Sequence, residues 1–265
     1  MTMIGFIGMG NMGTAIMKGL LSHGFLPEEL VFTDVDEGRR AAMEKETGVA
    51  SVASNGECAK RADYLVLAIK PQYYETVLTE ILPHLKAEEV IISIAPGKTI
   101  DYLREMLGED KRYVRAMPNT PALLGEGMTG VCFEDSAFTP EEKEVITRFF
   151  TSFGRMKRVE ERLMDAVACA SGSSPAYVYM FIEALADGAV KCGLPRKDAY
   201  EMAAQTVLGS AKMVLETGMH PGELKDMVCS PGGTTIAAVE ALEQWGFRNA
   251  IMKATDACYE QCKTL

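Results

Sequence analysis

Short runs of aliphatic and β-branched residues alternate, along the first 160 positions, with stretches whose apolar residues recur every three or four places. "MIGFIG" (3–8) reads as a strand, and "NMGTAIMKGLLSHG" (11–24) then sets Met12, Ile16 and Leu20 on one helical face. "LVFTD" (30–34), "YLVLAI" (64–69), "EVIISIA" (89–95) and "RYVRAM" (112–117) continue the series, with helical segments between most of them. Apolar runs without alternation, interleaved with helices, predict a parallel sheet covered on both faces. "MTGVCFE" (128–134) adds a strand. In "TPEEKEVITRFFTSFG" (139–154) Thr139 is the expected N-cap, Pro140 the first helical residue and Glu142 the capping-box acid. "RMKRV" (155–159) closes the series.

After Glu160 the period changes. Helices are expected over 161–171, 175–191, 196–218, 222–228, 233–243 and 247–263, and no strand is legible there. Pro175, Pro195, Pro221 and Pro231 each stand near an expected helix start. The expected fold class is α/β, a Rossmann-type parallel-sheet domain (1–160) followed by an all-α domain (161–265), joined by a helix. The segment "PAYVYMFIEALADGAVKCG" (175–193) is apolar almost all round, which suits either a large core or a seam between subunits.

Composition narrows the class. At 265 residues, 48% hydrophobic and 24% charged, the chain is long enough for two cores. Its 17 methionines fit adaptable packing. A formal charge of −10 leaves no basic stripe for nucleic acid, and the apolar runs are too short to cross a membrane. The first strand begins by Met3, so no signal peptide is expected to precede it. Seven cysteines (58, 132, 169, 192, 229, 258, 262) form no CxxC pair. Reduced thiols in a cytoplasm are expected, without a metal; Cys258 and Cys262, four apart on an expected helix, are a weak metal signal.

Gly8-Met9-Gly10-Asn11-Met12-Gly13 is a GxGxxG between a strand and a helix, the context that lets a pyrophosphate approach a helix N-terminus. Asp34 ends the second strand about 20 residues past Gly13, where an acid accepts from the adenosine ribose of NAD. Arg39 and Arg40 stand close enough to meet a 2′-phosphate, so NADH and NADPH both remain open. Three further strand ends, "AIKPQ" (68–72), "IAPGK" (94–98) and "MPNTPALLGEG" (117–127), are expected at the same crevice.

Ser230-Pro231-Gly232-Gly233-Thr234-Thr235 precedes the helix 233–243. Ser230 can cap it, and the glycine pair lets backbone N–H groups face a ligand. Simple capping and a carboxylate cradle are both compatible with that spacing. Of the three histidines, His23 ends a helix, His84 lies in a turn, and His220 precedes a helix start without a paired acid.

"HPGELKDMVCSPGGTTIAAVEALE" (220–243) resembles the C-terminal signature of the pyrroline-5-carboxylate reductases. "IGFIGMGNMG", "AIKPQ", "MPNTPALLGEG" and "ASGSSPAYVYMFIEALADGAVKCGLPR" (170–196) resemble that family too, in the same order, over essentially the whole chain. The resemblance implies a helical domain that dimerises by interleaving with its partner, possibly within a higher oligomer of dimers. It implies an active site where one subunit's coenzyme meets the other's helices. Ser230, Gly232, Gly233 and Thr234 match the substrate-carboxylate cradle, and Thr235 the catalytic hydroxyl that bonds the ring nitrogen. Ile7, Gly8, Met9, Gly10, Asn11, Met12, Thr33 and Asp34 match coenzyme positions. So do Asn55, Ala68, Ile69, Lys70, Pro71 and Ala95, with Asn119 and Thr120 beside the nicotinamide. Two positions depart from the pattern: Ser174 replaces the usual glycine of an "SGSGPAY"-like segment, and Asp34 replaces a small residue or proline.

The implied reaction reduces 1-pyrroline-5-carboxylate to L-proline with NADPH or NADH. A protonated imine is already electrophilic, so orientation can supply most of the rate, about 7–11 kcal/mol, without an acid–base pair. Hydroxyacid dehydrogenases share the two-domain build, but carry a lysine four residues after a glycine on the interdomain helix; Ala176 stands four after Gly172. A nicotinamide-binding regulatory module would not need the SPGGTT run.

Overall fold

Three strands, β1 (Ile4–Ile7), β4 (Tyr64–Leu67) and β5 (Val90–Ser93), are buried along their whole length. Their apolar character without alternation follows from that two-sided burial. A computed structural model describes residues 2–264 and sets these strands at the centre of an eight-stranded sheet. β2 (Leu30–Thr33) and β3 (Ala50–Ser51) lie on one side; β6 (Arg112–Met117), β7 (Gly127–Phe133) and β8 (Gly154–Arg158) lie on the other. The order is β3-β2-β1-β4-β5-β6-β7-β8, so the winding reverses between β1 and β4 and opens a crevice at their carboxyl ends.

α1 (Asn11–Ser22), α2 (Glu37–Thr47) and α3 (Asn55–Arg61) follow the first three strands; α4 (Tyr74–Ile81) and α5 (Ile100–Leu107) follow the next two. α6 (Pro140–Thr151) separates β7 from β8, and its capping box between Thr139 and Glu142 is formed on both sides. Strand alternation divides the core. Phe6, Val66 and Ile92 pack with Ile16 and Leu20 of α1 and Phe149 of α6. Ile7, Leu65 and Ile91 pack with Tyr74 and Leu78 of α4 and Leu103 of α5 on the opposite face. Each such side chain contributes about 1.5–3 kcal/mol through burial.

The sheet is not parallel throughout. β7 pairs antiparallel with β6, while β8 pairs parallel with β7. The connections explain it: β6 and β7 are joined by a short loop with one 3-10 turn (Thr120–Leu124), too little chain for a crossover, whereas α6 supplies one before β8. β3, only two residues long, is below the length at which a hydrophobic pattern is readable.

Six helices follow: α7 (Met164–Val167), α8 (Ser174–Lys191), α9 (Arg196–Thr217), α10 (Pro221–Val228), α11 (Thr234–Gln244) and α12 (Phe247–Cys262). The chain forms two compact units. One runs to Ser173 and takes in the chain from Cys258 onward; the other is Ser174–Ala257. Met164 of α7 packs in the core beneath the sheet, which extends the first unit beyond Glu160. The second unit buries few apolar side chains: Ala186, Ala199 and Ala203 are its buried hydrophobics among the described residues. Met180, Met227 and Trp245 are 68%, 68% and 86% exposed. The apolar girdle of α8 is therefore not the core of a single chain. No helix among the described residues is long and apolar enough to cross a membrane.

Candidate active site

The glycines between β1 and α1 answer to three different constraints. Gly8 has φ +95°, and a Cβ there would lie 2.7 Å from the Ala68 carbonyl oxygen. A Cβ on Gly13 would lie 2.3 Å from the Gly8 oxygen, so close helix–strand packing requires its absence. A Cβ on Gly10 would meet nothing within 4 Å. Packing therefore does not demand glycine at position 10; a ligand approaching the backbone would. Gly10 is also the N-cap of α1, with no side-chain cap and no acid in the first turn, so the first amides of the helix are available to an anion.

Asp34, at the end of β2, is buried and ties this turn together. Its Oδ2 accepts the Met9 N–H at 2.7 Å and its Oδ1 the Asp36 N–H at 2.9 Å. The Arg39 guanidinium sits 3.3 Å from Oδ2, and Arg40 donates to the Asp34 backbone oxygen. Asp36 caps α2, and the N–H of Arg39 donating to its carboxylate holds its pKa below the ordinary value. Asp34 and the guanidiniums of Arg39 and Arg40 thus meet at the end of β2.

Ile7, Gly8, Gly10, Asp34, Asn55, Ala68, Ile69 and Lys70 line one cavity of about 640 Å³. Arg39 lines it too, and Val35, Tyr73, Thr76, Val77 and Glu80, none of them among the expected site residues, complete its wall. Their signal was available: three of them recur at helical spacing directly after the strand-end motif "AIKPQ". Glu80 accepts from Asn55 Nδ2 at 2.7 Å and so orients that amide.

The other expected coenzyme residues are placed differently. Met9 contributes its backbone, its side chain lying in the core, and the Thr33 carbonyl accepts the Gly8 N–H. Asn11 is exposed at the start of α1, whereas Met12 packs partly against the core. Pro71 opens the 3-10 turn before α4, and Ala95 is buried in the core. Thr120 is exposed after β6. Asn119 is buried with both ends of its amide engaged: Nδ2 donates to the Ser171 carbonyl at 3.0 Å and Oδ1 accepts the Met128 N–H at 2.9 Å. Its side chain is a brace between the loop after β6 and the segment before α8.

In the helical unit, α11 begins at Gly233, which is its N-cap with no side-chain cap. Ser230 does not cap this helix. Gly232 has φ +69° and no atom within 4 Å of where a Cβ would stand; the Cβ of a side chain at Gly233 would lie 2.5 Å from Ser230 Oγ. The Gly233 N–H, expected to face a ligand, donates instead to the Ser230 carbonyl at 3.0 Å. The donors left at this corner are the first-turn amides of Thr234, Thr235 and Ile236, which have no intrahelical acceptor. The hydroxyl-bearing residues Ser230, Thr234 and Thr235 belong to the same turn, so hydrogen-bonding groups are concentrated at the start of α11. Ser230 and Thr234 are exposed and Thr235 is half-buried.

The histidines serve structure. His23 is the C-cap of α1, with Nδ1 3.0 Å from the Gly19 oxygen. His84 packs where a Cβ on Gly56 would stand, and His220 Nδ1 accepts the Gly222 N–H at the start of α10.

Known proteins share this sequence and fold. Residues 161–265 match the family described as pyrroline-5-carboxylate reductase dimerisation, and residues 3–97 match the family described as NADP oxidoreductase, coenzyme F420-dependent. The pyrroline-5-carboxylate reductase of Escherichia coli is 48% identical over 99% of this chain and 97% of that protein. A solved pyrroline-5-carboxylate reductase from Coxiella burnetii superposes with TM-score 0.92 at 34% identity, covering 99% of this chain and 98% of that one. The Plasmodium falciparum pyrroline carboxylate reductase, solved with NADP bound, gives TM-score 0.89 at 35% identity over 99% and 97% of the two chains. With near-complete coverage and this degree of identity, the chain belongs to the pyrroline-5-carboxylate reductase family.

Proposed function

We propose that this chain reduces 1-pyrroline-5-carboxylate to L-proline with NADPH or NADH, the last step of proline biosynthesis. The observation that carries the reading is that the chain has two uncapped helix starts, one in each unit: α1 beside the coenzyme cavity and α11 at the hydroxyl run. The first suits a pyrophosphate and the second a carboxylate.

When bound, the reduced nicotinamide supplies a hydride. The chain's own contribution is binding and orientation. The first turn of α1 holds the pyrophosphate, and Asp34 or Arg39 meets the ribose end. Ser230 and the amides from Thr234 onward hold the substrate carboxylate. The Thr235 hydroxyl accepts a hydrogen bond from the protonated ring nitrogen, fixing the plane of the C=N bond. The imine enters protonated, so the hydride adds to carbon and no further proton has to be delivered on the enzyme. Incubation with pyrroline-5-carboxylate and each reduced coenzyme in turn tests this: coenzyme oxidation with stoichiometric proline supports it, and oxidation of neither contradicts it.

Arg39 offers the nearest cation for a 2′-phosphate. Arg39→Ala is expected to raise the KM for NADPH about 10-fold, the loss of one charge-assisted contact, with little change for NADH. Equal effects on both coenzymes would remove Arg39 from that role.

We further propose that 161–265 is a substrate-binding and dimerisation domain whose helices interleave with those of a second copy, so that one subunit's cradle serves the other's coenzyme. The bare apolar surface of Ser174–Ala257 supports this, since monomers rarely expose such a surface. The melting temperature should then fall on dilution, and light scattering at micromolar concentration should report a dimer or a multiple of it. A fully active monomer would contradict it. A reducing cytoplasm is the compartment this reading expects.

A further inference from the structure

Among residues that belong neither to the coenzyme cavity nor to the hydroxyl run, three thiols converge. Cys169 lies in a π-helical turn (Ala168–Gly172), and Cys258 and Cys262 lie one turn apart near the end of α12. Their sulfur atoms all lie within 4.8 Å of one another, with Cys169 buried and the other two half-buried. All three belong to the same compact unit. Single π-turns are rare and gather at functional sites.

We propose that Cys169, Cys258 and Cys262 form a three-thiolate site for zinc, with a water as fourth ligand. Zinc–sulfur bonds of about 2.3 Å in a tetrahedral site set the sulfurs about 3.8 Å apart, so the trio must contract by about 1 Å at most. Side-chain rotation of the half-buried Cys258 and Cys262 supplies that movement. Three soft sulfur ligands exclude magnesium and calcium, which take oxygen. Asp165, four residues before Cys169, is held by Arg115 at 3.6 Å and adds negative potential without becoming a ligand.

Without a cation the site resists ionisation. Burial first, and then the neighbouring thiols, push the Cys169 thiol up to about 12; burial and Cys258 raise Cys262 as well. A dication reverses this: each sulfur gives up its proton to solvent and the repulsion among the three thiolates is screened by the metal. Three protons leave for each ion bound, and the metal and its thiolates together carry a single negative charge. Ser173 Oγ lies 3.3 Å from Cys258 Sγ and can turn to donate to that sulfur once it is a thiolate. The bound ion would pin the end of α12 to the π-turn.

The full-length protein, reduced and stripped of metal, is titrated with cobalt(II) as a spectroscopic probe. One equivalent per chain is expected to give a thiolate-to-cobalt charge-transfer band and the visible bands of tetrahedral coordination, both erased by one equivalent of zinc. Affinity should weaken as pH falls. C169S and C262S should each lose the thiolate spectrum, while C192S, at an exposed cysteine, retains it. Zinc at 100-fold over Kd should raise Tm by about 5–10 °C in the unaltered chain. A wild-type titration without the charge-transfer band overturns the proposal on its own, as does an unchanged spectrum in both C169S and C262S.

Discussion

Thr235→Ala is expected to lower turnover about 10- to 100-fold while leaving coenzyme affinity unchanged. A hydrogen bond to a charged group contributes about 1.5–3 kcal/mol, and here the charge is the iminium on which the reaction depends. The position is suited to this. Thr235 is the second residue of α11, half-buried, in a turn whose N-terminus carries no side-chain cap. Loss of the hydroxyl frees the ring to rotate about its carboxylate anchor, so the effect falls on orientation. Thr235→Ser should restore most of the rate, because the same oxygen is available. Pre-steady-state hydride transfer, followed by coenzyme fluorescence, reads the step directly. Unchanged turnover in the alanine variant would remove Thr235 from the reaction.

The second large effect separates two glycines three residues apart. Gly10→Ala should weaken coenzyme binding about 100-fold with no change in melting temperature, because its Cβ enters open space in the free protein. There the methyl displaces the pyrophosphate from the first amides of α1, at the cost of one or two charge-assisted bonds. Gly13→Ala should do the reverse. Its Cβ would lie 2.3 Å from the Gly8 carbonyl oxygen, inside contact distance, so helix and strand must move apart. Overpacking of this kind costs about 1–3 kcal/mol, which lowers Tm by several degrees. Isothermal titration and thermal melts on both variants make the comparison. If Gly10→Ala melted early and bound normally, the turn would be a packing feature and not a phosphate cradle.

Local features were legible in the sequence, and long-range ones were not. β1, β4 and β5 announce themselves because a strand buried on two faces needs no partner to be recognised. The GxGxxG turn and the SPGGTT corner are likewise local, since both are helix starts with their backbone exposed. The reversal at β7 depends on how much chain joins it to β6, which pattern alone does not weigh. The sequence points to Asn119 as a nicotinamide neighbour, but not to the backbones of Ser171 and Met128 that hold its amide, because Ser171 lies far along the chain. Gly233 was expected to present its N–H, and the tight turn returns that group to Ser230. The thiol trio shows the same limit: the spacing of Cys258 and Cys262 is visible, but only the fold adds Cys169.

Orientation by an anion-binding corner, without an acid–base pair, is the centre of this account. A crystal structure with NADPH and proline bound tests it most directly. The account predicts the proline carboxylate within hydrogen-bonding distance of Ser230 Oγ and the Thr234 amide, its nitrogen at the Thr235 hydroxyl, and its ring against the nicotinamide. Proline bound elsewhere, or that corner closed by its own side chains and remote from the coenzyme, would contradict it.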